Sequence, residues 1–254
     1  MIFVQLSEIT QAYGLTTLVY ILINLLFTII VLFKAIKVKQ RILYIFSLCI
    51  LFTASSWYSS GLGYLFWVLT GEILDYAVYV LIGTVGVPIA ILSWLYIYMT
   101  LINSKKKKLV LILYAIISIA YEIYILYFLF IAPNAPNTQM IGTFDPNSPL
   151  DMNYNLIITI YKVIALITSC GTGIHFAMRS MKIRDNLEVV WKGRFLFISF
   201  VLFGFASVFD IMNLALWLLI IIRACLVLST ITFYIGFILP KSMKKLLSIK
   251  EFDK

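Results

Sequence analysis

The chain has 254 residues, of which 63% are hydrophobic and 12% charged, with a mean hydropathy of +1.03. A soluble domain carries about 25% charge and 45–50% apolar residues, so this is the composition of a bilayer protein; at ~20 residues per helical span, no separate soluble catalytic domain fits in the length. The net charge of +9 would suggest a nucleic-acid partner for a soluble protein, but no nucleic acid is expected here, because the positive residues are sorted as membrane topology sorts them.

Apolar runs bounded by charged or turn residues predict seven spans, at about 13–33, 41–67, 76–102, 109–131, 154–178, 193–213 and 215–239. The fold class expected is therefore an all-α integral membrane protein, one seven-transmembrane-helix bundle over residues 1–254. The N-terminal MIFVQLSEITQAYG lacks the basic region and small-residue cleavage site of a signal peptide, so the first run is expected to persist as a span. In the second, Ser55-Ser56-Trp57-Tyr58-Ser59-Ser60-Gly61-Leu62-Gly63 predicts a kink or an early helix end before an aromatic extension, Tyr64 to Val68. The third holds Gly83, Thr84, Gly86 and Pro88. The segment 132–153, APNAPNTQMIGTFDPNSPLDMN, carries four of the six prolines and reads as irregular structure capping one face, a lid or a tether. Spans six and seven adjoin almost without a loop. Cys49, Cys170 and Cys225 all fall inside spans, which leaves no disulfide framework.

All but two of the 20 Lys and Arg follow odd-numbered spans. Lys34, Lys37, Lys39 and Arg41 follow the first and Lys105 to Lys108 the third. Arg179, Lys182, Arg184, Lys192 and Arg194 follow the fifth, and Lys241, Lys244, Lys245, Lys250 and Lys254 the seventh. The N-terminus and the loops after spans two, four and six hold none. By the positive-inside rule the N-terminus is outside and the C-terminus in the cytoplasm of a multi-pass protein of the cell membrane. Acids fall on both sides: Glu8, Glu72, Asp75, Asp145 and Asp151 outside, and Asp185, Glu188, Glu251 and Asp253 inside. The basic clusters also suit anionic lipid or a cytoplasmic partner docked at the inner face. Trp67 and Trp217 read as interfacial anchors.

Four charges remain within spans: Glu122, Lys162, Asp210 and Arg223. Each is costly in a bilayer, so they are expected to face the bundle interior and to neutralise one another, Glu122 with Lys162 and Asp210 with Arg223. Their helical neighbours are small or hydroxylated, as helix interfaces require. These four form the expected ligand-binding or buried charge network in the outer half of the bundle. Asn24, Trp57, Tyr79, Tyr121, Tyr124 and Ser169 are expected to line a cavity there.

His175 is the only histidine, which excludes zinc sites built from several histidines and leaves no metal expected. No GxSxG, HExxH or phosphate-binding glycine loop occurs, and Gly171-Thr172-Gly173 reads as close helix packing; an enzyme is not expected. No repeat relates the first three spans to the last three, which weighs against a repeat-built transporter.

Seven spans with the N-terminus outside share the topology of rhodopsins, G-protein-coupled receptors and sugar-transporting SWEET proteins. The seventh span, LWLLIIIRACLVLS, has Arg223 where a rhodopsin holds its Schiff-base lysine, and Lys162 lies on the fifth, so retinal is not expected and no cofactor is assigned. The third span ends YIYMTLINSKKKK, without the acidic-arginine-aromatic triplet of the receptors, and Pro88 is the only mid-span proline. The ending FYIGFILPKSMKKLL, after a span with a buried arginine, resembles the last helix of the seven-span sensor regions that prokaryotic, especially archaeal, membrane proteins place before histidine-kinase or other output domains. That resemblance implies a sensory input module; with the chain stopping at Lys254, its signal is expected to pass to a separate cytoplasmic protein. The function expected is a membrane receptor or sensor for a small ligand. The alternatives are a transporter of a small solute, ion or proton through the same charges, and a rhodopsin-like protein lacking the span-seven lysine.

Overall fold

The computed structural model describes residues 5–146, 148–183, 185–211 and 216–249, with the backbone alone for 211, 216 and 217. Arg184, Lys250, Glu251, Asp253 and Lys254 lie outside the described residues, as does the side chain of Trp217. The helices are α1 (Glu8–Val38), α2 (Arg41–Thr53), α3 (Ser55–Thr70), α4 (Tyr76–Thr84), α5 (Gly86–Ile102), α6 (Lys107–Leu126), α7 (Thr138–Ile141), α8 (Leu156–Met181), α9 (Leu187–Ile211), α10 (Leu216–Ile238) and α11 (Lys241–Leu246). A π-helical turn, Tyr127–Ile131, prolongs α6. Among the described residues six helices, with α4 and α5 taken as one and α6 joined to its flanking turns, are long and apolar enough to cross a membrane, seven when the bent pair of α2 and α3 also counts as one span.

Helix α1 shows the inverted patterning of a bilayer protein. Its buried stripe is Thr10, Tyr13, Gly14, Thr17, Tyr20, Ile21, Asn24, Thr28, Val31 and Ala35. Leu15, Val19, Leu22, Leu26, Ile29 and Phe33 are exposed. Polar and small residues recur every three or four positions on the inner face, and aliphatic ones face out, where only lipid would accept so wide an apolar surface. The structure is that of a membrane-embedded helical bundle.

Two helices break where the sequence supplies a reason. Pro88 has no amide hydrogen to give the Thr84 carbonyl, and the chain passes from α4 to α5 at Val85. Between α2 and α3 the chain bends by 57° at Ala54, at the head of the serine run rather than within it. The Leu51 carbonyl, left at that break, accepts from Tyr58 Oη at 2.5 Å. A Cβ on Gly86 would come within 2.3 Å of Ser55 Cβ, so glycine is what lets α5 approach the break.

Helices α1, α2, α5, α8, α9 and α10 close a ring, each packed on the next and α10 back on α1. Helix α6 stands outside it against α5, with only Ser118, Tyr121 and Ile125 buried. At one end of the ring the basic segments meet: Glu188 takes both Lys192 (2.8 Å) and Lys244 (2.7 Å), and Lys107 lies 3.4 Å over the Tyr96 ring. Helix α9 begins at Leu187, about six residues before the apolar run, because Asn186 caps it by accepting from the Val189 amide at 3.2 Å.

The opposite end is closed by the segment expected to be irregular. Instead α7 leads into an antiparallel hairpin, β1 (Gly142–Asp145) and β2 (Ser148–Tyr154), so the bundle is not purely helical. The register runs Gly142 to Tyr154, Thr143 to Asn153 and Phe144 to Met152, then jumps to Asp145 with Ser148. Pro149, Leu150 and Asp151 are left unmatched, an irregularity suited to a proline that cannot donate to a ladder. Gly142 has φ +150°, and a Cβ there would lie 2.6 Å from the Asn153 carbonyl oxygen. Alternating apolar positions on β2 bury Leu150 and Met152, which fastens the hairpin onto the helices.

Candidate functional site

The ring encloses a cavity of about 550 Å³ beneath the hairpin. Helix α1 contributes Tyr13 and Asn24, and the break between α2 and α3 contributes Thr53, Ser55, Ser56, Trp57 and Ser60. Helix α5 adds Ile91 and Trp94, and α8 adds Lys162, Ala165 and Ser169. Helix α9 adds Phe200, Phe203, Ser207 and Asp210, and α10 adds Ser229, Thr230 and Phe233. The irregular part of β2 turns Asp151 in from the hairpin side.

Arg223 and Asp210 pair as the sequence predicts, Nη1 to Oδ1 at 2.7 Å. Trp57 Nε1 donates to the other oxygen of Asp210, also at 2.7 Å. The guanidinium is 1% exposed and gives Nε to Thr17 Oγ1 and Nη2 to Tyr13 Oη, each at 3.0 Å. Three donors thus have three acceptors, which is what retains a charge in an apolar interior. Arg223 stands behind Asp210, holding the carboxylate at the cavity wall.

Glu122 and Lys162 do not pair. The seam between α6 and α8 is made by Tyr121 stacked on Tyr161 at 3.9 Å, by Ser118 hydrogen-bonded to Tyr161 Oη at 2.8 Å, and by Tyr114 with Thr168 at 2.5 Å. One residue further along a helix is turned by about 100°, so Lys162 leaves that seam for the cavity while Glu122 stays on the peripheral helix. Lys162 Nζ lies 3.7 Å over the Tyr154 ring and makes no ion pair with Glu122. Glu122 Oε1 is buried without a hydrogen-bond partner among the described residues.

Of the expected lining residues, Asn24, Trp57 and Ser169 reach the cavity. Tyr79, Tyr121 and Tyr124 do not. Tyr79 Oη donates to the Leu150 carbonyl at 2.9 Å, and Tyr124 Oη to the Met140 carbonyl at 2.8 Å. They hold the hairpin segment down, as does Tyr76, which donates to the Gly142 carbonyl at 2.6 Å. His175 packs at the side of the bundle, its Nδ1 2.9 Å from Tyr98 Oη.

Asp151 is the site residue that the sequence did not reveal, since it reads there as one more acid in a polar loop. Its carboxylate accepts from the adjacent Met152 amide at 2.8 Å and forms no ion pair among the described residues. Burial pushes its carboxyl up to about 6, and the nearby Asp210 carboxylate adds to the rise, against the Met152 amide and Arg223. It is therefore mostly ionised at neutral pH. Pro149, out of place in a paired strand, was the available signal that the strand would be irregular here.

Three residues of the lining, Asn24, Ser55 and Ser207, hold a buried side-chain oxygen without a hydrogen-bond partner among the described residues. Buried polar atoms are ordinarily satisfied, so rotation of these side chains toward water or a bound molecule is the natural way to satisfy them. A chamber with apolar walls, a few convergent polar groups and two charges without ion-pair partners among the described residues has the make-up of a small-molecule site. No protein-family model matches this chain, and no curated protein matches it in sequence.

Proposed function

We propose that this chain is a seven-span receptor or sensor of the cell membrane, with its N-terminus and hairpin outside and its basic end in the cytoplasm. A small ligand binds in the cavity beneath the hairpin, and the basic end passes the change to a separate partner. The observation that carries this reading is the cavity itself, walled by seven helices and a hairpin, with Lys162 and Asp151 lining it and no ion pair to either among the described residues. Intramembrane ionisable groups that lack a structural partner are candidates for function by default.

One observation favours transport as the second reading. The 57° break between α2 and α3 lies on the cavity wall, and interrupted helices at a membrane site are characteristic of transporters. Purified protein in liposomes separates the two. A receptor passes no solute or ion when the cavity ligand is supplied on one side, whereas uptake lost on Lys162→Met would establish transport. Orientation is tested by tags: one in the turn at 133–136 should be reached from outside intact cells, and tags at residue 105 or the C-terminus only after lysis.

A further inference from the structure

Lys162 and Asp151 line one cavity with opposite charges and do not touch. The ammonium has the Tyr154 ring as its contact, and the carboxylate has the amide of its own neighbour. The second pair, Asp210 with Arg223, is closed on itself through Trp57, Tyr13 and Thr17. The site as a whole is thus neutral, with one positive and one negative terminus left open.

We infer that the cavity takes a zwitterion with an apolar body, of the class of apolar α-amino acids and short apolar peptides: its carboxylate meets Lys162, its ammonium meets Asp151, and its body lies against Ala165, Leu166 and Phe203. An anion or a cation alone would satisfy one open terminus, strand the other and leave a net charge in a low-dielectric interior. A zwitterion satisfies both and keeps the site neutral. The volume of about 550 Å³ exceeds what a single aromatic amino acid fills, so the chamber admits a dipeptide as well. Asn24, Ser55 and Ser207 are further polar residues of the lining.

This inference rests on the cavity being a ligand site, and its test keeps the two claims apart. Full-length protein in detergent or nanodiscs is titrated with L-phenylalanine, L-phenylalanyl-L-phenylalanine, 3-phenylpropionate, 2-phenylethylamine and 2-phenylethanol, and followed by melting temperature and equilibrium dialysis. At least one zwitterion should bind about tenfold or more tightly than any single-charge analogue, and the preferred length tells amino acid from peptide. Lys162→Met and Asp151→Asn should each cost it about tenfold, with Lys162→Arg restoring part. Asn keeps an acceptor for the Met152 amide, and Met keeps the length of the lysine stem, so both variants retain the local packing. Equal binding of a single-charge analogue, or variants with undiminished affinity, would overturn the zwitterion. So would failure of both zwitterions to bind. Binding of 2-phenylethanol that ignores both substitutions would overturn it too, while leaving the cavity a ligand site.

Discussion

Asp210 holds Arg223 in a single 2.7 Å contact, yet the guanidinium has two further partners, Thr17 and Tyr13, on a helix at the other end of the sequence. The pair therefore ties α1 to α9 and α10. Arg223→Met should lower stability by about 3–5 kcal/mol, because it strands the Asp210 carboxylate. Asp210→Asn should cost a comparable amount, since it leaves the deeply buried guanidinium without a counter-charge although its two neutral acceptors remain. The double variant should recover part of the loss and no more, as Tyr13 Oη and Thr17 Oγ1 still lose the guanidinium. Thermal unfolding in detergent reads all three; additive losses would show that the contact carries no coupling.

The second cycle has the opposite expectation. Glu122 and Lys162 form no ion pair, and the seam between their helices is made by the neighbouring stack of Tyr121 on Tyr161, so Glu122→Gln and Lys162→Met should add to within ~0.3–0.5 kcal/mol. Coupling beyond that range would mean that α6 sits in the ring rather than outside it.

Three tyrosines reach the hairpin segment, Tyr76 and Tyr79 from α4 and Tyr124 from α6. Tyr76→Phe, Tyr79→Phe and Tyr124→Phe should each cost ~1 kcal/mol, the worth of one hydrogen bond. The effect should be local. Amide hydrogen exchange at 138–154 should accelerate, most for Tyr79→Phe, whose partner Leu150 is fully buried, while the middle of α9 and α10 stays protected. Uniform acceleration across the bundle would contradict a separately tethered hairpin.

The Asp151 carboxyl, raised from 3.8 to about 6, gives a pH dependence with a definite sign. Between those values the folded chain binds a proton that the unfolded chain does not, so the burial penalty is present in full above pH 6 and is relieved as the pH falls toward 4. Melting temperature should therefore rise on acidification from pH 7 to pH 5, with a slope of no more than about 1.4 kcal/mol per pH unit. Asp151→Asn should flatten that slope and stabilise the protein at pH 7. An unchanged slope in the variant would assign the effect to another group.

The helical segments were legible in the sequence because hydropathy reports which stretches exclude water, and runs such as 76–102 and 109–131 carry that signal in nearly every residue. Arg223 with Asp210 was legible for a related reason: adjoining spans joined by a minimal connection must lie side by side. Glu122 with Lys162 was not. Their pairing depends on how α6 and α8 are rotated about their axes, and that is settled by Tyr114, Ser118 and Tyr121 meeting Tyr161 and Thr168, side chains too common in this sequence to stand out. The hairpin was missed because prolines dominate its composition, while its pairing depends on Gly142 and on burial of Leu150 and Met152, which only the tertiary structure creates. Asp151 followed from that miss.

The tyrosine clamps grip main-chain oxygens, those of Met140, Gly142 and Leu150, rather than side chains. Every residue type carries such an oxygen. Asp151, which β2 turns toward the cavity, can thus be exchanged over evolutionary time without loosening the strap that carries it. Selection on what occupies the chamber and selection on keeping it covered act on different atoms, so related chains are free to diverge at 151 while keeping tyrosines at 76, 79 and 124.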